Sequence, residues 1–201
     1  TFEFPPYIRD LVDTPEVQRM RHVAQLGFVP FVFPNATHQR FPHLIGTTEK
    51  AMKMVESICR RGPTNIEDAV LAMNVTGSGA IGHDIAHWPL SHALGPLGDK
   101  ILGKTHEGVG AELISGDYSL LQFWKDMPAG VIPDLEKEAT IQVLEKRPSF
   151  AEVLTRYNIT PELVAQLIDR KRKEKNGDFI KGRFYLHEIL DGAVIDADKL
   201  D

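Results

Sequence analysis

Gly82-His83-Asp84-Ile85-Ala86-His87-Trp88-Pro89-Leu90-Ser91-His92 is the stretch around which the chain is organised. Three imidazoles and a carboxylate fall within ten residues. Neighbouring side chains on a helix point about 100° apart, so His83 and Asp84 can grip one divalent ion from one side. His87 stands four residues beyond His83, one turn along the same face if the helix continues. Pro89 lacks an N–H and disfavours helical geometry in Trp88, so it ends or bends that helix. A His-Asp dipeptide also occurs by chance. Its weight depends on whether other histidines and carboxylates stand where an ion needs them.

Working outward, Ala69, Val70, Ala72, Met73, Val75, Gly79, Ala80 and Ile81 are almost wholly apolar. They predict a central buried helix, capped by Thr64 or Asn65 with Glu67 and Asp68 in its first turn, that delivers His83-Asp84 at its end. Gly77 and Gly79 each cost about 1 kcal/mol of helix stability relative to Ala, which points to close helix contact or a local irregularity. Upstream, Leu44, Ala51, Met52, Val55, Ile58 and Cys59 give a stripe for a long helix over 38–60, broken by Gly62-Pro63. Asp13-Thr14-Pro15-Glu16 starts a helix that runs to about Gly27. Residues 28–37 read as a buried irregular connection with Pro30 and Pro34.

Downstream, residues 94–103 read as a Gly-rich loop. Short or amphipathic helices follow from Thr105, within 117–128, over 134–146 and 149–157, and from Thr160 to about Arg170. The charged run 170–178 reads as a solvated loop, with a phosphate-binding patch as the alternative, and 183–201 as helical. Strand signals are sparse, so the expected class is all-α.

The 201 residues are 42% hydrophobic and 25% charged, with a formal net charge of −5. This suits a single globular domain spanning 1–201, with two small ones possible on length alone, and gives no general basic field for nucleic acid. The single Cys59 fits a reducing cytoplasm. No run of about 18 apolar residues predicts a membrane span, and the N-terminus has no signal-peptide pattern. The sequence has no initiator Met and stops at Asp201 inside a helical pattern. The expectation is the N-terminal or core part of a longer protein.

The other candidate ligands are His38 and His43 flanking Arg40, then His106-Glu107, then Asp196 and Asp198 beside Lys199. A helix bundle can point such separated segments into one core. His38 reads equally as the end of a loop, Asp196 as a surface acid or cap, and His22 and His187 as ordinary histidines.

The order His43, His83-Asp84, Asp198 resembles the ligand signature of the HD-domain metal-dependent phosphohydrolases. The likeness extends to Gln18-Arg19-Met20-Arg21, Gln25-Leu26-Gly27, residues 31–36, His38-Gln39-Arg40-Phe41-Pro42-His43, Thr105-His106-Glu107 and Asp196-Ala197-Asp198-Lys199. These resemble the deoxynucleoside triphosphate triphosphohydrolase branch, in family order, from about Asp13 to Asp201.

The resemblance implies an HD-domain helical bundle in which His43, His83, Asp84 and Asp198 hold a divalent ion of open identity: Mn, Fe, Mg, Zn, Co or Ni. It implies that His87, His92 and His106 line the phosphate site. One of these would protonate the leaving oxygen, His92 before His106, with Glu107 orienting His106. Arg40 and Lys199 would meet phosphate oxygens, Gln25 and Leu26 the sugar or base. The implied reaction releases deoxynucleoside and triphosphate from a deoxynucleoside triphosphate. Phosphomonoester or phosphodiester hydrolysis of another nucleotide stays open, as does a nucleotide-binding regulatory module whose catalysis has lapsed. A homo-oligomer is implied as well. The sequence departs from the family at Gly95, where an Asp is frequent, at Ala86, where Gly is usual, and at the bulky Trp88.

Overall fold

A computed structural model describes residues 3–62, 65–89, 94–169, 171–172, 185–192 and 196–200. All regular structure among them is helical: α1 (Pro6–Val12), α2 (Pro15–Gln18), a 3₁₀ turn Arg19–His22, another at Val29–Phe31, α3 (Arg40–Arg61), α4 (Ile66–Gly82), α5 (Gly95–Leu102), α6 (His106–Ser115), α7 (Leu120–Asp126), α8 (Asp134–Glu145), α9 (Phe150–Arg156), α10 (Pro161–Ile168), α11 (Tyr185–Asp191) and α12 (Ala197–Leu200). The all-α expectation is met. Among the described residues no helix is long and apolar enough to cross a membrane.

Helix α4 is the axis of the bundle, contacted by α1, α3, α10 and α11. The Asn65 side chain caps it, accepting from the Asp68 N–H at 2.8 Å. Residues Val75 to Gly82 are all buried. Its glycines permit close approach: a Cβ on Gly79 would lie 2.9 Å from both Leu167 and Leu190, and one on Gly77 2.8 Å from the Tyr7 hydroxyl. Their cost in helix propensity is offset by side chains that press against the α4 backbone. Helix α9 opens with a capping box between Ser149 and Glu152.

Five expectations need correction. The helix ends at Gly82 and does not continue through His87. Residues 83–86 form turns in which the Ile85 N–H donates to the Gly82 carbonyl and the His87 N–H to that of Asp84, three residues back rather than four. The first helix stops at Gln18 and tightens into the 3₁₀ turn, ending well short of Gly27. Residues 28–33 are not buried. Their bonds are mostly local i to i+3 turns, and Phe31 is 85% exposed. Residues 95–102 form α5 where a loop was expected, because Gly95 and Gly103 fall at its ends, Gly103 as a left-handed cap at φ +66°. The C-terminal pattern is two helices, α11 and α12, and not one. The charged run lies outside the described residues except at 171–172. There Arg172 pairs with Glu162 at 3.0 Å and with Asp117.

Glu16, an acid in the first turn of α2, is 2% exposed. Burial lifts its carboxyl from 4.5 to about 7, against bonds from its own N–H, the Phe150 N–H and the Thr14 hydroxyl. A raised acid binds its proton more tightly in the folded chain. Its contribution to stability is therefore full below about 4.5 and is lost as pH rises through about 7. Glu16→Gln should raise stability at pH 8, and with it the melting temperature, by at most about 3 kcal/mol at roughly 1.4 kcal/mol per pKa unit, less what the carboxylate charge lends Arg19. The gain should vanish near pH 4–5. Thermal melts of both proteins across that range check it, and a gain that does not depend on pH contradicts it.

Candidate metal centre

Three structural facts bring the site together. A single antiparallel bridge joins Ala24 to Gln39: the Arg40 N–H donates to the Val23 carbonyl and the Gln25 N–H to that of His38. This seats Arg40 and His43, three residues apart, on the first turn of α3. Helix α3 lies along α4, whose end presents His83 and Asp84. Helix α12 packs on α3 and adds Asp198. Asp196 is a buried cap and not a surface acid, accepting from the Lys199 N–H at 2.7 Å.

His43, His83 and Asp84 offer ligand atoms all within 4.8 Å of one another, a grouping that can hold a metal ion. Asp198 stands beside it, its Oδ1 2.8 Å from His43 Nε2 and 3.6 Å from His83 Nε2. Asp84 Oδ2 is 3.5 Å from His83 Nε2 and 3.9 Å from His43 Nε2. The two imidazoles meet at 74°. A second grouping, Asp84, His87 and His106, shares the same carboxylate. His87 Nε2 lies 3.1 Å from Asp84 Oδ1, and the His87 and His106 rings are 4.1 Å apart.

The chemistry of His83 tests whether a cation fits here. Its Nδ1 is 2.7 Å from the Ala80 carbonyl, which can only accept, so Nδ1 carries a proton. The buried Nε2 makes no hydrogen bond and faces two carboxylates. A lone pair aimed at two anions is repulsive unless a proton or a metal cation lies between them. The backbone-bound tautomer is the one that ligating histidines adopt. Burial opposes charge on the ring, but Asp84 and then Asp198 outweigh it, and His83 rises to about 9. Burial likewise opposes charge on Asp84, yet His83, His87 and Arg40 hold it far below the usual carboxylate range. Asp198 is held down by His43 and His83. The donor set is two imidazoles and two ionised carboxylates, which suits a divalent cation.

The remaining predicted site residues are distributed as follows. Arg40, 2% exposed, bonds Asp84 Oδ2 through Nη1. Lys199 Nζ donates to the Gly192 carbonyl at 2.6 Å and to Asp196. His106 Nε2 is 3.3 Å from Glu107 Oε1. Gln25 lines a cavity of about 510 Å³ with His38, Pro42, His43 and Asp198, whereas Leu26 is not among the residues lining it. His92 lies outside the described residues. His38, a candidate ligand in the sequence, lines the cavity and is not part of the ligand grouping, and Arg19, singled out only within Gln18-Arg19-Met20-Arg21 and given no role there, bonds the backbone next to the site.

The candidate centre thus joins an adjacent His-Asp pair at the end of α4 with a His from α3 and an Asp from α12 in an all-helical bundle. Comparison with known proteins finds similarity to deoxynucleoside triphosphate triphosphohydrolases. The chain is 34% identical over 116 residues to the Deoxynucleoside triphosphate triphosphohydrolase SAMHD1 homolog of Dictyostelium discoideum, covering 56% of this chain and 22% of that protein. It is 34% identical over 111 residues to Deoxynucleoside triphosphate triphosphohydrolase SAMHD1 of Bos taurus, covering 52% of this chain and 18% of that protein. It is 30% identical over 128 residues to the uncharacterized protein YwfO of Bacillus subtilis, covering 64% and 28%. The matches thus span less than a third of these relatives. No family model matches the chain.

Proposed function

We propose that this chain is a metal-dependent phosphohydrolase that releases deoxynucleoside and triphosphate from a deoxynucleoside triphosphate. The observation that carries the reading is His83: its Nδ1 proton is held by the Ala80 carbonyl, and its Nε2 faces Asp84 and Asp198 beside His43, a position that takes either a proton or a divalent cation. The similarity to named triphosphohydrolases supplies the substrate class. His43, His83, Asp84 and Asp198 would hold a divalent ion, with Mn, Fe, Mg, Zn, Co and Ni all compatible with N and O donors. When bound, that ion supplies a Lewis acid for the phosphoryl oxygen and an acidified water.

The chain's own residues do the rest. Arg40 offers a forked donor to phosphate oxygens, exchanging Asp84 for substrate, and Lys199 offers a point charge. His92 donates a proton to the leaving oxygen, with His106 as the second choice. Glu107 holds His106 in orientation. Gln25 meets the sugar in the cavity it shares with His38 and His43, and Leu26 lies near the base. The reading places 1–201 as one domain acting in the cytoplasm and self-associating, on nucleotide and not on nucleic acid.

One observation favours the lapsed module as a second reading. Gly95 replaces the frequent family Asp, and a Cβ there meets nothing within 4 Å, so the missing carboxylate reflects no lack of space. Product analysis decides between the readings. With added Mn²⁺, a panel of deoxynucleoside triphosphates should yield inorganic triphosphate and deoxynucleoside in equal amounts. Inorganic phosphate instead would indicate monoester hydrolysis. Binding without any product would indicate the regulatory module.

A further inference from the structure

We propose that Arg19 is a positioning residue for the metal loop, its guanidinium clamping the Ile85 and His87 carbonyls so that Asp84 and His87 present their side chains correctly. The proposal rests on the reading of His83 and Asp84 as metal ligands. Arg19 sits at the start of the 3₁₀ turn that follows α2, far from the loop in sequence. Its Nε donates to the Ile85 carbonyl at 3.1 Å and its Nη2 to the same oxygen at 2.8 Å. Nη2 also donates to the His87 carbonyl at 2.8 Å. The residues it grips bracket the site: Ile85 follows Asp84 directly, and His87 is the partner of Asp84 Oδ1.

The loop needs such a grip. Beyond Gly82 the helical ladder ends, so the carbonyls of 85 and 87 have lost the donors that a continuing helix would supply. A buried carbonyl without a donor costs free energy, and a loop without its ladder has several conformations open to it. One planar group that reaches two carbonyls two residues apart selects among them. Arg is suited to this by its fixed fork, and Lys, a point donor, is not. Burial draws the Arg19 guanidinium down to about 10, against the favourable charge of Glu16 three residues earlier, so it stays charged at neutral pH. Burying a permanent cation away from the ligand set is costly, and its hydrogen bonds in that position go to the metal loop.

The test reads the ion first and turnover second. Mn²⁺ affinity is measured by calorimetry for the wild-type chain, Arg19→Ala and Arg19→Lys, with circular dichroism as a folding control. Removing a group that orients ligands lowers metal affinity by about 10–100-fold. Arg19→Ala should fall in that range, Arg19→Lys should recover only part of it, and millimolar guanidinium should restore Arg19→Ala while urea does not. Wild-type Mn²⁺ affinity in a folded Arg19→Ala, with only the melting temperature lowered, would show a purely structural role and overturn the proposal. If Arg19→Ala does not fold, full affinity in Arg19→Lys overturns it instead. A wild-type chain that binds no Mn²⁺ overturns the metal reading itself and this proposal with it.

Discussion

Asp84→Asn should give a folded chain that no longer holds a divalent ion and that turns over nucleotide about 10³-fold more slowly or worse. Three roles converge on this carboxylate. Its Oδ2 faces His83 and His43, its Oδ1 accepts from His87, and Arg40 is buried against it. An amide of the same size keeps the shape but removes the charge that makes the site attractive to a cation. Metal polarisation of a phosphoryl group contributes several kcal/mol to the transition state, and each 1.4 kcal/mol is tenfold in rate, so a loss near 10³ follows. The same change strands the Arg40 guanidinium beside a neutral group, and breaking a buried pair costs about 3–5 kcal/mol. Melting temperature should therefore fall as well. Elemental analysis of the purified variant together with a rate measurement checks this. Normal metal content would remove Asp84 from the ligand set.

His92→Ala should keep its metal and lose about 10²-fold or more in kcat, the usual scale for a general acid, while His106→Ala should lose less. The histidines beside the ligand set are not equivalent. His87 is 3% exposed and committed to Asp84 Oδ1 at 3.1 Å, so its donor is already spent. His106 stacks on His87 and has Glu107, 3.3 Å from its Nε2, as a carboxylate neighbour in place of the family Asp absent at Gly95. His92 is the proton donor of the proposed function, with His106 second because Gly95 withholds the Asp expected to position it. Steady-state kinetics with metal content measured on the same samples separates the two. Unchanged kcat in a fully loaded His92→Ala would move the role to His106 or to a water.

The bundle was legible where local chemistry is strong. Asn65 and Thr105 announced helix starts, and the side chain of each accepts the expected bond. The apolar run through Val75 to Ile81 foretold a buried axis, and its glycines foretold close contact. Periodicity failed at the site itself. His83 and His87 have helical spacing, yet the backbone leaves the helix at Gly82. Asp84 and His87 still meet, because a turn of i to i+3 bonds also returns the chain on itself, and because Arg19 holds that turn. No pattern around Arg19 or Ile85 signals a contact between residues 66 apart in sequence. Glu16 stands in the first turn where the helix dipole favours an acid, but its burial comes from tertiary packing that the local sequence does not show. The apolar and aromatic segment 28–37 reads as buried on hydrophobicity alone, which does not specify what a segment packs against, and its aromatics at 28, 31 and 33 are exposed.

The central claim is that His43, His83, Asp84 and Asp198 share one divalent ion. Anomalous diffraction from crystals grown with Mn²⁺ tests it most directly. The account predicts a single strong peak bonded to His43 Nε2, His83 Nε2 and one oxygen each of Asp84 and Asp198, at roughly 2.0–2.3 Å. A peak held instead by Asp84, His87 and His106, or no peak near Asp84 at all, would contradict it.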